Sequence, residues 1–474
     1  MPRNKNMFMQ GQRVKRIPLF IRGLVELNNS ILVIVFTLAI MFGVGLIFSC
    51  KFIGILGLAT FLFFGIFQPE AFLLSIFAIR PLIDQFVGFP FITISSMNLN
   101  IQAFLGSAIV FVSIIYLLPR QRGPTWKMRL MTPIILFLVE CLVAVFLSYD
   151  SFVGLSDWMR IASWMLLIPF TSSVFSSDKA SQRLIKSCAI SALVCIFVFL
   201  IGPVEVHYSL GERKGWFYSL HNAGLLMSAI SPFILLQILQ SKGARRCFYI
   251  FVEIALFAAI FSTFARSAWL AISIQIGITF FLWRKQKTIK FLLMLSMIII
   301  AILILMPPRE LTQRFSDMSY INDPYNYRKL GSGRVGFWED NIYAFLNSSL
   351  SEKLFGRGFR SSTFVTEIEV GAHNDFVDLL SNNGLVGLAL YSWFIIRLFA
   401  LGKSLSRSPQ NDSISHIFWA VFLSFLITAL INGMLFYVGA MWYTAGFIGI
   451  SYAKLRHWDK LKAYRSYKNE NLYY

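Results

Sequence analysis

Residues 371–387 read Gly371-Ala372-His373-Asn374-Asp375-Phe376-Val377-Asp378-Leu379-Leu380-Ser381-Asn382-Asn383-Gly384-Leu385-Val386-Gly387. A run of polar and acidic side chains passes at Gly384 into an apolar one. The stretch closes a polar island that opens at Pro307, the longest part of the chain without an apolar run able to span a membrane. On both sides of the island the sequence is built from apolar runs of about 20 residues, the length that crosses a hydrocarbon core as a helix. A lipid-exposed run must satisfy its backbone internally, so each one reads as helix. A transmembrane barrel would show short alternating segments instead. The expected fold is an all-α polytopic membrane protein with about 12–14 transmembrane helices and one large loop bearing short helices.

Composition agrees. Of 474 residues, 57% are hydrophobic and 14% charged, against about 25% charged in soluble proteins. The net charge of +20 invites a nucleic-acid reading, but the basic residues gather in the two tails and in short loops between apolar runs. That is the positive-inside pattern, with some attraction to anionic lipid heads, so no nucleic-acid partner is expected. Cys50, Cys141, Cys188, Cys195 and Cys247 lie in or at the ends of apolar runs. They read as small core residues rather than disulfides or metal ligands.

Expected spans fall at 31–49, 52–67, 71–87, 100–118, 131–148, 154–175, 183–202, 222–240, 248–263, 267–283, 289–307, 384–402, 415–432 and 434–453. The third is the weakest, because Arg80-Pro81 interrupts it and Asp84 follows; a re-entrant or half-buried segment is the alternative. Basic loops around Arg129, Lys179, Arg245, Lys285 and Lys403 and the tail from Lys454 are read as cytoplasmic. The organisation that results is a basic cytoplasmic segment 1–29, a helix bundle 30–307, an extracytoplasmic loop 308–383, C-terminal spans 384–453 and a basic cytoplasmic tail 454–474. The large loop holds eight Lys/Arg against ten Asp/Glu. A loop of this length is more often functional than idle. Within it, Phe337, Trp338, Asn341, Ile342 and Phe345 share one face of an amphipathic helix suited to a membrane surface.

Chemistry centres on His373, because imidazole suits proton transfer near neutral pH; a loop histidine without a role is the alternative. Gly384 and Gly387 permit a bend or close packing where the following helix enters the bilayer. Arg266 sits between two apolar runs with almost no loop. A snorkelling anchor is the plain reading, but the arginine stands at the external end, against the positive-inside bias. Arg334 lies in a glycine-rich context, Gly331 to Gly336, where backbone approaches a ligand closely. A guanidinium fork grips two phosphate oxygens at once. Arg213, Lys214, Arg357 and Arg360 are further candidates, each also readable as surface charge. His221-Asn222 repeats the His-Asn pair at another external helix start. Asp157 and Arg160 are spaced to pair on one helical face, and Glu140 and Glu253 fall inside apolar runs. An Asp-x-Asp in an external loop, a Walker A loop and a zinc-binding helix motif are all missing, so no metal or cofactor is expected.

The ordered set resembles the O-antigen ligase and Wzy-type polysaccharide polymerase superfamily, multi-span membrane glycosyltransferases. The resemblance rests on His373-Asn374 followed by Gly384 and Gly387, on Ser262 to Leu270 around Arg266, on Ser332-Gly333-Arg334 with Trp338, and on Leu354 to Phe359. It covers roughly residues 216 to 390. Arg357 stands where a small or apolar residue is more usual, and Phe264-Ala265 precedes the arginine where serine is common.

The resemblance implies a site on the outer face of a bacterial cytoplasmic membrane. The donor would be a glycan on undecaprenyl diphosphate, the acceptor a polysaccharide or lipid-linked sugar hydroxyl, with a flippase and a chain-length regulator as possible partner proteins. His373 would be general base, Arg266 and Arg334 would stabilise the departing diphosphate, Asn374 would orient the histidine or the acceptor, and inversion would follow. Repeat-unit polymerisation is expected ahead of ligase-type transfer to another lipid, wall or protein acceptor. A lipid-linked-oligosaccharide flippase is the competitor from another class. Transporters, however, tend to show internal repeats and midplane ionisable groups, whereas the residues singled out here gather at one face.

Overall fold

The computed structural model describes residues 62–84, 90–94, 97–120, 128–202, 217, 219–282, 320, 323, 326–365, 371–408 and 412–470, all within one compact unit that starts at Leu62. The expected spans at 31–49 and 289–307, and most of 52–67, lie outside these residues.

The fold is all-α and polytopic. Its helices are α1 (Pro69–Ile83), α2 (Ile101–Leu117), α3 (Met131–Leu147), α4 (Ser151–Val174), α5 (Asp178–Ile201), α6 (Leu220–Gln240), α7 (Gly243–Ser262), α8 (Arg266–Leu282), α9 (Arg334–Leu346), α10 (Leu350–Phe355), α11 (Ser361–Val365), α12 (Asp375–Ser406), α13 (Asp412–Asn432) and α14 (Val438–Glu470). Among the described residues, α5, α6, α12 and α13 are long and apolar enough to cross a membrane, and α2, α3 and α8 are shorter apolar helices. The buried first half of α14 packs along α4 and α6. Where a loop was expected at 88–99, Pro90–Ile94 and Met97–Asn100 pair as an antiparallel ribbon.

The weak third span is a continuous helix. Arg80 and Asp84, one turn apart, form a buried ion pair at 2.7 Å, and the Arg80 guanidinium lies over the Trp442 ring at 4.8 Å. Pro81 brings no N–H to the Phe77 carbonyl four residues back. Tyr443 Oη donates to that carbonyl at 2.6 Å and also lies 2.5 Å from Ser191 Oγ. The proline and the charges that made this segment look broken are both answered by α14.

Helix α12 starts at Asp375, nine residues before the expected membrane entry at Gly384. Gly384 breaks it, with φ +64° and ψ −163°. A break frees carbonyls. Those of Ser381 and Asn382 accept from the backbone N–H groups of Arg357 (3.1 Å) and Gly358 (3.0 Å). A Cβ on Gly384 would come within 2.5 Å of the Leu354 carbonyl and Gly356 N. The loop Leu354–Phe359 therefore seats on the kink, and the seat needs hydrogen at Gly384. Ser361 Oγ donates to Ser381 O and Asn382 Oδ1, both at 2.9 Å, and Ser381 Oγ to Asn341 Oδ1 at 2.9 Å. Buried Asn341 thereby joins α9 to the same network.

Candidate active site

Three helices deliver one end each to a single region: the C-terminal end of α3, the N-terminal end of α12, and the turn from α13 into α14. Phe359 N donates to Ser148 Oγ at the end of α3 (2.8 Å). Asn374 caps α12, its Oδ1 accepting from Phe376 N and Val377 N. Asp375 Oδ1 accepts from Met434 N (2.6 Å) and Leu435 N (3.0 Å), and Tyr391 Oη donates to its other oxygen at 3.2 Å. Asp378 Oδ1 accepts from Ala372 N at 3.0 Å. His373 is thus clamped on both sides by carboxylates that hold backbone, and it adopts φ +52°.

Among the described residues, four non-glycine residues have positive φ: Phe264, Ser332, Arg360 and His373. All four fall at this site. Such conformations cost of order 1–3 kcal/mol each and gather where surrounding structure enforces a particular side-chain placement. Phe264 lies in the turn between α7 and α8. Trp269 Nε1 locks that turn by donating to the Ile260 and Phe261 carbonyls while its ring stacks on Phe261 at 4.3 Å. The turn sets Arg266 as the first residue of α8, and Arg266 Nη2 donates to Ser332 Oγ at 2.7 Å. Arg334 follows two residues later at the start of α9.

Asn432 is the hub. Its Oδ1 accepts from Arg334 Nη2 at 2.9 Å, while Arg334 Nη1 donates to the Ile431 carbonyl at 2.5 Å. His373 and Asn432 line the same cavity, and the Asn432 backbone favours the protonated ring. Burial, and then the positive charge of Arg334, pushes the His373 pKa below the ordinary 6.5, against the smaller opposing effect of the Asn432 backbone. His221, at the start of α6, lies within charge-interaction range of Arg334, His373 and Arg266. Gly224 brings α6 in close: a Cβ there would lie 2.8 Å from Ala268 Cβ and 3.0 Å from Thr263 Oγ1.

Beside this cluster is a cavity of about 340 Å³, walled by His373, Asn222, Asp157, Arg160, Arg360, Asn432 and Tyr437 among others. The structure thus brings His373, Arg266, Arg334, His221 and Arg360 together. Asp157 does pair with Arg160 (3.0 Å), but it also takes Arg360 Nε (2.8 Å). Burial works against the Arg360 charge, yet the hydrogen bond and attraction of Asp157 leave its pKa raised. Arg360 therefore faces the cavity already paired. Arg357 is used differently: its backbone seats the loop on α12, and its side chain does not line the cavity. The Asn374 side-chain oxygen is committed to the helix cap rather than turned to the cavity. Gly387 packs against Glu140, whose Oε2 a Cβ would approach to 2.9 Å; that oxygen also accepts from Asn383. Arg213 and Lys214 lie outside the described residues.

Two further expectations change. On helix α9 the face expected from the sequence is divided between the site and the surface. Trp338 Nε1 donates to the Ala372 carbonyl at 2.8 Å and Phe337 lies 6.4 Å from the His373 ring, so that face supports the site, while Ile342 and Tyr343 are exposed. Cys141, Cys188 and Cys195 are buried, but Cys247 is exposed. Asn432, Asp375 and Asp378 were not singled out from the sequence. The Asn432-Gly433 pair at the end of an apolar run was the available signal. Among the described residues no three His, Cys, Asp or Glu side chains are grouped to hold a metal ion.

The fold and this one-ended polar site define a multi-pass membrane protein with a buried ionisable cluster. Residues 251–392 match the O-antigen ligase family, which supports the superfamily read from the motifs. The matched range contains Arg266, Arg334, Arg357, Arg360, His373, Asn374, Gly384 and Gly387. An uncharacterized protein of Haemophilus influenzae is 24% identical over 373 residues, covering 70% of this chain and 89% of the relative. The family match and the helices support a membrane glycan-transfer function in cell-surface polysaccharide assembly.

Proposed function

We propose that the protein is an inverting glycosyltransferase that moves a glycan from undecaprenyl diphosphate to an acceptor sugar hydroxyl at the outer face of the cytoplasmic membrane, polymerising repeat units. His373 takes the proton of the acceptor hydroxyl. The oxygen attacks the anomeric carbon as the bond to the diphosphate breaks, and the electron pair leaves with the diphosphate. Arg266 and Arg334 meet that growing charge, the role fixed donors play best in a site closed to water. In this reading no metal is required. Attack opposite the leaving group inverts the anomeric centre.

The observation that carries the reading is the convergence of His373 and Arg334 on Asn432, with Arg266 joined through Ser332. A lowered imidazole pKa keeps His373 in its basic form, as a general base needs. The family description favours a second reading, transfer of a finished glycan to a separate acceptor. Purified protein given only a diphosphate-linked repeat should produce a ladder. Transfer that starts only when another acceptor is added would make it a ligase. Donor movement across vesicles with no transfer, and with His373 dispensable, would make it a flippase.

A further inference from the structure

Away from this site, the start of α3, the end of α12 and the middle of α14 enclose a second cavity, of about 480 Å³. It is walled by Arg129 just before α3, by Arg397 and Arg407 on the last third and cap of α12, and by Tyr452, Trp458 and Asp459 on α14. Arg397 stands 22 residues beyond Asp375, roughly 30 Å along the helix, so this cavity is separate from the one beside His373.

We propose that this cavity binds the head group of an anionic phospholipid through its phosphodiesters. Three guanidiniums against one carboxylate leave an excess of two positive charges on the wall. Among the described residues, Arg129, Arg397 and Arg407 make no ion pair, and Arg397 Nε is buried without a hydrogen-bond partner. A buried guanidinium N–H left open is costly, and phosphate oxygens satisfy it with charge-assisted bonds. Arg397 and Arg407 are ten residues apart, about 15 Å along the axis. That spread suits two phosphodiesters joined by a short linker better than one small anion. The rest of the wall suits an amphiphile: Leu401 and Leu455 are apolar, and Tyr452 and Trp458 are the aromatic types that sit at head-group level. Basic pockets between membrane helices bind such head groups.

The test uses the full chain, stripped of lipid and placed in phosphatidylcholine nanodiscs. Cardiolipin, phosphatidylglycerol or inorganic phosphate is then added, and bound molecules are counted by native mass spectrometry alongside the melting temperature. Cardiolipin should be retained and should raise the melting temperature, with phosphatidylglycerol weaker. Arg397→Gln and Arg407→Gln should each weaken retention by about tenfold, as expected for loss of a charge-assisted contact, and Arg397→Lys should restore part of it. Lys460→Gln, an exposed tail charge outside the cavity, should change nothing. Should the Arg397 variant fail to fold, Arg129→Gln on the exposed rim gives the same comparison. Equal retention in the glutamine variants, or equal stabilisation by extra phosphatidylcholine, overturns the proposal. Displacement of cardiolipin by millimolar inorganic phosphate overturns its lipid half and assigns the arginines to a free anion.

Discussion

At the scale of single residues, the position of His373 is set by groups distant in sequence. Asn432 shares its cavity wall, Asp375 and Asp378 fix the backbone on either side, and Arg334 presses on its protonation. His373→Ala should abolish polymer formation in vitro with protein level and melting temperature near wild type; a wild-type rate would remove the general base from the mechanism. The sign of the pH dependence follows from the lowered pKa. The neutral ring is the working form, so activity persists below pH 6.5 and is lost only as pH falls through the depressed value. In Arg334→Gln the repelling charge is gone while burial remains. The acid limb of residual kcat/KM should therefore move to higher pH, and a limb that stays put would deny the coupling. Asn432→Ala removes the side-chain acceptor of Arg334 but keeps the backbone beside His373. Losing one hydrogen bond to a charged group, about 1.5–3 kcal/mol, should cost roughly ten- to a hundredfold in rate, without the pH shift of the arginine variant. His373, Arg266 and Arg334 were legible as residues because their types and contexts are unusual. Asn432 was not, because an asparagine at a helix end looks the same whether it serves water or two catalytic candidates.

At the scale of elements, the sequence revealed helices and breaks well and partners poorly. Spans read from apolar runs coincide closely with α2, α3, α6, α8 and α13. The kink at Gly384 was visible as a permissive glycine, but its docking partner, the loop around Gly356, was not. Gly384→Ala combines positive-φ strain with a Cβ 2.5 Å from backbone atoms, and neither can be relieved by a side-chain rotation. Loop Leu354–Phe359 should lift from α12, seen as a lower melting temperature and new protease cleavage in that loop; an unchanged digest would show the seat to be dispensable. The Arg80-Pro81 segment was read as weak because its two answers, Tyr443 and Trp442, lie more than 350 residues further on. Tyr443→Phe leaves the Phe77 carbonyl buried without its donor, a loss of about 1–3 kcal/mol. Thermal unfolding should register that loss with little effect on catalysis. The ribbon at 90–100 had a signal too, the β-branched Ile92-Thr93-Ile94 before Ser95-Ser96, but it was hidden by the expectation that everything ordered in this chain is helix.

Across the whole molecule, α3, α12 and α14 each run from the histidine-centred site to the arginine-lined cavity, so the two lie at opposite ends of one bundle. The proposed chemistry puts the first end at the outer face, and the expectation read from the basic loops puts the second end in the cytoplasm. Because α12 begins just after His373 and has Arg397 and Arg407 near its end, its two ends provide a decisive reading of orientation. In a background with the native cysteines replaced, Ser351→Cys places a thiol on an exposed residue of α10 beside the site, and Lys403→Cys places one on the exposed last turns of α12. A membrane-impermeant maleimide added to intact cells should label the first and spare the second, and Lys403→Cys should label only after permeabilisation. The reverse pattern would put His373 on the cytoplasmic side, away from any acceptor at the cell surface. In that case the same cluster would have to act on substrate before export, and the general-base assignment would need a different sugar acceptor, one available in the cytoplasm.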